Sequence, residues 1–410
     1  MQKWFFVIVL LAFSCKSNEQ KVQAQDINNL RQMPAEELKF YRDSIGYYMD
    51  TLLNYKGFSG GILVAKNGFI LYEHYQGFSD VGQQTAINDS TSFHVASTSK
   101  TVTSTAVMQL IQQGKIKLTD SLRQFFPGFP YQGMTINHLL SHNSGLQNYA
   151  YFFPKFGWNK KQIATNTDVL EFIISKKPPL TRPVGHKFEY CNTNFVLLAL
   201  IVEEISGQAF PDYAKEKIFA PAGMAHTFVF GIGDTARYMP SFKNNMSIYN
   251  FDYLDAIYGD KNVYTTCRDL MKYDAAIRNY ILLDSATYET VWTPQHRDTH
   301  YRDSTEYYGL GWRLKVWPTG NKIVYHNGWW HGNNSIFQRV YQDTAVIIVT
   351  GNVFNQRIYH SPHVANFFRP YYESMNYKKE EPEGDTTIVR KSAALKKQKF
   401  VVKKKKKGKR

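Results

Sequence analysis

Cysteine is scarce in this chain, with three residues in 410, too few for the disulfide lattice of a small secreted scaffold. Long apolar runs are missing as well: Trp4 to Phe13 has ten residues, where a helix needs about 20 to cross a bilayer core. There is no H-E-x-x-H, no paired C-x-x-C and no glycine-rich phosphate loop, so no metal or cofactor is expected. Acidic residues are absent from 390–410, a segment that holds twelve of the 49 cations. Elsewhere 37 cations face 34 acids, whereas a groove that tracks a phosphate backbone is basic within its fold. Nucleic acid is therefore not an expected partner.

With 43% hydrophobic and 15% aromatic residues, the chain can bury a sizeable core, which excludes global disorder. Lys3, the apolar run and Cys15 read together as an export signal, and Cys15 resembles the lipidated cysteine of bacterial lipoproteins, with Ala12 where Leu or Val is usual. Residues 1–15 are thus expected to be a lipoprotein-type signal, 16–38 a polar tether, 39–370 one domain and 371–410 a charged, basic tail. On that reading the protein is exported and lipid-anchored in the bacterial envelope, in periplasm or outer membrane. Its tail either contacts anionic envelope surfaces or is a solvated run without function. Cys191 and Cys267 are expected free and buried; a single disulfide between them is the alternative.

Alternating apolar residues mark strands near both ends of the domain. Gly60 to Ala65 and Phe69 to Tyr72 flank Asn67-Gly68, the signature of a tight hairpin. Tyr308–Val316, Ile323–His326, Ser335–Val340 and Ala345–Thr350 form the second group. Between them lie helical signals at Ser97–Gln113, Asn194–Ile205 and Thr266–Tyr280. This order predicts a mixed α+β fold: one antiparallel sheet assembled from both chain ends, with a helical insert.

Ser97 and Lys100 stand three apart at a helix start, so hydroxyl and amine share one face. Free N–H groups there favour a nearby oxyanion, and a lysine shielded by apolar neighbours can serve as a base. Tyr190 and Asn192 lie on a loop ahead of a helix, and a phenol beside an ammonium can shuttle protons. His326-Asn327-Gly328 is expected to end a strand, with the glycine admitting a ligand backbone. Each has a plainer reading: Ser97 a cap with Lys100 solvated, Tyr190 a core aromatic, His326 a rim residue. Gly57-Phe58-Ser59-Gly60-Gly61 matches a nucleophile elbow, but a helix is expected before it and a strand after, the reverse of what that elbow needs.

Ser-x-x-Lys at 97, Tyr-x-Asn at 190 and His-x-Gly at 326, spaced 93 and 136 residues apart, resemble the three active-site motifs of the serine β-lactamase-related hydrolases. That family includes class C β-lactamases, D-alanyl-D-alanine carboxypeptidases, D-aminopeptidases and carboxylesterases. Thr135 to Leu146 (TINHLLSHNSGL), Pro221-Ala222-Gly223-Met224 and Tyr308 to Trp312 (YGLGW) are similar to further family stretches. The resemblance implies a β-lactamase/transpeptidase-like fold, Ser97 as acylated nucleophile, and Lys100 and Tyr190 as catalytic partners, either of which could be the base. It also implies that Asn192, His326, Gly328 and Trp329 bind substrate, Asn192 hydrogen-bonding either the substrate amide or Lys100, with the N–H groups of Ser97 and Trp329 as an oxyanion hole. The expected substrate is a small molecule or peptide, peptidoglycan-derived fragments included, cleaved at a D-amino-acid peptide, ester or amide bond. Histidine where class C β-lactamases carry lysine argues against β-lactamase activity, since it gives less fixed charge for a substrate carboxylate. The alternative is a catalytically silent envelope protein that binds cell-wall peptide. Tyr149, Tyr151, Phe152, Phe153, Trp158, Trp329 and Trp330 either line an apolar pocket or pack the core.

Overall fold

The computed structural model describes residues 33–53, 57–298 and 305–372. The expected signal with Cys15, the tether up to residue 32 and the tail from residue 373 lie outside them. Among the described residues no single helix is long and apolar enough to cross a membrane.

In β1 (Gly60–Lys66) successive side chains point to opposite faces, sending Ile62 and Val64 one way and Leu63 and Ala65 the other. Asn67 and Gly68, at φ 50° and 79°, supply the positive φ values of a two-residue turn into β2 (Phe69–Gln76). The chain then leaves the sheet and returns as β3 (His296–Arg297), β4 (Glu306–Tyr308), β5 (Arg313–Val316), β6 (Lys322–Trp330), β7 (Asn333–Val340) and β8 (Ala345–Gly351). The strand order is β2-β1-β8-β7-β6-β5-β4-β3, antiparallel throughout. β1 pairs with β8 from Gly60 opposite Gly351 to Lys66 opposite Ala345. Both chain ends thus build one sheet, as the order of apolar runs predicts.

Details differ from the sequence reading. The strand expected at 308–316 is two strands, because Gly309 N–H turns back to donate to Trp312 O at 2.8 Å. The third motif does not end a strand; β6 runs through it to Trp330. The first helix, α1 (Ala35–Leu53), starts inside the stretch expected to be tether, with Glu36 and Glu37 in its first turn, where acids complement the helix dipole. At the far end Tyr371, past the expected limit of 370, is buried and donates to Asp343 at 2.5 Å.

Both faces of the sheet are covered. α1 and the 3₁₀ stretch Gln356–Phe367 pack Ile45, Met49, Leu52 and Ile358 onto Ile62, Val64, Ile347 and Val349. The helical insert covers the other face, around Leu63, Phe337, Val346 and Ile348. Its central helices, α2 (Lys100–Gln112) and α3 (Thr193–Ser206), are buried on nearly every side, which suits the almost wholly apolar run Phe195–Val202 of α3. Buried hydroxyls tie α2 to neighbouring loops: Thr103 donates to Gly259 O at 2.7 Å and Ser104 to Leu310 O at 2.6 Å. Cys191 and Cys267 are free and buried, and burial pushes their thiols up to about 11 and about 12.

Candidate active site

The chain enters α2 through a 3₁₀ turn, Ala96–Ser99. Ala96 takes φ 48°, a conformation that disfavours a residue with a Cβ, and it sits directly before half-buried Ser97. Neighbours hold the turn: Ser99 Oγ accepts from Val263 N–H at 3.0 Å, and Thr98 Oγ1 lies 2.9 Å from Ser335 Oγ. β6 supports it from the other side. β5 pairs with β6 only as far as Tyr325, and beyond that point Gly328 meets the turn. A Cβ on Gly328 would stand 2.1 Å from Val95 O and 3.1 Å from Ala96 Cβ, so only glycine lets this strand approach the serine turn.

Lys100 is fully buried, which rules out the solvated first-turn reading. Its Nζ stands 3.1 Å from Ser97 Oγ, 2.8 Å from Asn192 Oδ1 and 2.8 Å from Asp260 O. Burial lowers its pKa to about 7, with Asp260 opposing and Lys261 and Arg313 reinforcing the shift. Half-buried Tyr190 places its ring centre 5.0 Å from Lys100 Nζ and 5.3 Å from Arg313 Cζ. His142 lies against that ring, with centroids 4.3 Å apart, and accepts from Cys191 N–H at 3.1 Å through Nδ1. The tyrosine loop is thereby clamped from below by the HNSGL stretch.

His326, expected to meet substrate, is buried, with Nε2 3.2 Å from Tyr308 Oη and Nδ1 2.8 Å from Asn327 O. Burial, Arg313 and Lys100 hold its pKa well below the ordinary value, which disfavours the charged ring. The cause of its burial is its mid-strand position, which points it into the sheet–insert interface. Trp329 and Trp330 are half-buried at the strand end; Trp329 Nε1 donates to His331 O at 2.9 Å and Trp330 Nε1 to Asp255 at 2.7 Å. Tyr149, Phe152 and Phe153 are core residues, Phe153 stacking on Trp158 at 4.5 Å, so they do not line a pocket. Ser59 donates to Asn352 Oδ1 at 2.7 Å ahead of a strand, which leaves the elbow motif without its geometry. Surface concavities of about 430 Å³ and about 680 Å³ exist, lined by residues such as Glu73 and Arg268 or Phe126 and Glu203; neither includes a motif residue.

Sequence reasoning assigned no role to His142, Asp260, Arg313 or Tyr308. His142 and Tyr308 lie in stretches whose likeness to the family was legible, but nothing local to Asp260 or Arg313 signals their proximity to Lys100.

A serine held against a buried lysine where a central helix begins beneath an antiparallel sheet defines a serine hydrolase of β-lactamase/transpeptidase-like fold. The beta-lactamase family model matches residues 47–362, and the chain belongs to that family. It is 30% identical over 323 residues to a penicillin-binding protein of Bacillus subtilis (strain 168), spanning 74% of this chain and 70% of that one. It is 29% identical over 183 residues to a D-aminopeptidase of Brucella anthropi, spanning 45% of this chain and 34% of that enzyme. In structure it is similar to a penicillin binding protein from Bacillus halodurans, with TM-score 0.67 and 23% identity over 79% of this chain and 99% of that one, a likeness of fold alone.

Proposed function

We propose that the protein hydrolyses amide or ester bonds of D-amino-acid substrates through an acyl-enzyme on Ser97. The observation that carries this reading is the set of three contacts around Lys100 Nζ. A neutral amine has two N–H donors and one lone pair. Asn192 Oδ1 and Asp260 O, each at 2.8 Å, take the two donors, and the lone pair is left for the Ser97 hydroxyl at 3.1 Å. Ser97 Oγ attacks the substrate carbonyl carbon while its proton passes to Lys100. The resulting oxyanion is received by the N–H groups of Ser97 and Trp329. Collapse breaks the bond to the leaving group, which takes a proton relayed through Tyr190; water then cleaves the ester to Ser97, returning the proton.

The D-aminopeptidase and penicillin-binding relatives support a D-amino-acid substrate. Buried His326, its charged form disfavoured, favours amides and esters over substrates that need a cationic anchor for a free carboxylate, so β-lactamase and carboxypeptidase turnover should be the weaker activities. Incubating the chain with p-nitrophenyl acetate, D-alanine p-nitroanilide and a reporter penicillin, beside Ser97→Ala, tests this. The expected result is turnover of the first two and a mass increase confined to Ser97. A silent cell-wall binder would give neither, and equal turnover by Ser97→Ala would remove the mechanism.

Anchoring through Cys15 remains part of the proposal: a lipidated chain partitions into detergent and Cys15→Ser releases it, while equal partitioning of both would refute the anchor.

A further inference from the structure

Behind Lys100, on the loop between Asp255 and Asn262, lies a buried cation that the reaction above does not use. Lys261 and Asp260 have side chains 3% and 1% exposed and stand 3.8 Å apart, Nζ to Oδ1. Lys261 Nζ donates to Tyr149 Oη at 3.0 Å and to Ile257 O at 2.9 Å. Tyr149 in turn donates to Asp260 Oδ2 at 2.8 Å. The loop can lie this deep because Gly259, at φ 95°, lacks a side chain; a Cβ there would stand 2.4 Å from Phe195 O. Two links leave this cluster for the motifs. Asp260 O accepts from Lys100 Nζ, and Tyr149 N–H donates to Thr193 Oγ1 at 2.8 Å, beside Asn192.

We propose that Lys261 is a positioning residue that offsets the Asp260 carboxylate, so that Asp260 holds Lys100 through its carbonyl without holding it protonated. The carboxylate braces Tyr149 and, through it, the Asn192 loop, but a lone buried anion beside Lys100 would keep that amine charged and unable to take the serine proton. Lys261 cancels the anion at its source. The other groups facing Lys100 are Cys191 and Tyr190 from the loop before α3, and Arg313 and His326 from the sheet. Burial lowers the pKa of Lys261 itself, and the facing carboxylates of Asp260, Asp255 and Asp252 oppose that shift. The opposed effects of Asp260 and Lys261 on Lys100 agree in sign with this arrangement.

The inference rests on the reading of Lys100 as proton acceptor. Its test is the pH profile of kcat/KM for p-nitrophenyl acetate in the full chain, in Lys261→Met, in Asp260→Asn and in the double variant. Lys261→Met should move the acid limb to higher pH by about one unit and Asp260→Asn should move it lower, the size expected of one nearby charge in a protein interior. The double variant, uncharged and of similar volume, should return the limb to within a few tenths of a unit of the original. A purely structural pair would lower turnover at every pH and leave the limb in place. An unmoved limb in folded Lys261→Met, or shifts of the same sign in both single variants, overturns the proposal. If both single variants fail to fold, a double variant displaced by about one unit does so. Ser97 acylation in the unaltered chain is read separately by mass. Its absence removes the underlying mechanism, whereas an acylating chain whose limb ignores Lys261→Met refutes this inference alone.

Discussion

Under α1, strands β1 and β8 bury Ile62, Val64, Ile347 and Val349 against Ile45, Met49 and Leu52, and hydrocarbon fills the space. Across the same sheet, the insert face buries Lys100, Lys261, Asp260, Asp255, Arg313 and His326. Burial of apolar surface contributes about 25 cal/mol per Å², while taking a charge out of water costs several kcal/mol before any partner compensates. The α1 face of β1 and β8 is thus apolar throughout, whereas the insert face adds to its own, larger apolar core a cluster of buried amines, carboxylates and an imidazole that costs stability. The chemistry lies on one side of the sheet, and the other side of β1 and β8 carries hydrocarbon alone.

The largest effect that would sharpen this contrast is Ser97→Ala, which should lower p-nitrophenyl acetate turnover by at least about 10³-fold and leave the urea midpoint unchanged. Lys100→Met should cost about 10²–10⁴-fold and remove the acid limb of the pH profile. In the unaltered chain that limb should lie near pH 7, because Lys100, lowered to about 7, gains its proton and stops accepting one as pH falls through that value; a limb near 10 would refute the assignment. Ile347→Ala, on the hydrocarbon face, should lose about 3 kcal/mol of stability in urea titration with kcat/KM preserved. An equal loss of turnover there would break the separation. Smallest of all is Arg268→Ala. This exposed arginine bridges Glu73 and Asp89 away from both regions, and its loss should change stability by under about 1 kcal/mol and turnover not at all.

The hydrocarbon face was the more legible in sequence. The short, unbroken apolar runs Gly60–Ala65 and Ala345–Thr350 report strands buried on both faces, and the Asn67-Gly68 turn fixes the hairpin. The ends of α2 and α3 fell within a residue of expectation, since Gly114 and Gly207 mark them, whereas α2 starts at Lys100, three residues after the expected Ser97, behind a 3₁₀ turn. On the insert face only the motif residues could be read, and their mutual placement could not. His326 looked like a substrate contact because its motif says nothing of Tyr308, the hydroxyl on another strand that shares its burial. The Asp260 carbonyl meets Lys100 across 160 residues of chain and Lys261 meets Tyr149 across 112. Such contacts arise only when distant parts of the insert fold onto one another, so no local pattern encodes them. Ala96 escaped for a related reason: its positive φ is imposed by the strand behind it, against the preference of alanine.

The pairing of β1 with β8 also bears on how the protein is made. Gly60 pairs with Gln76 on β2 but finds its β8 partner only when Gly351 exists, so the sheet cannot close while the ribosome is still supplying the insert. Contacts this distant in sequence slow folding, and they leave the inner edge of β1 unpaired until the last strand of the sheet has been made.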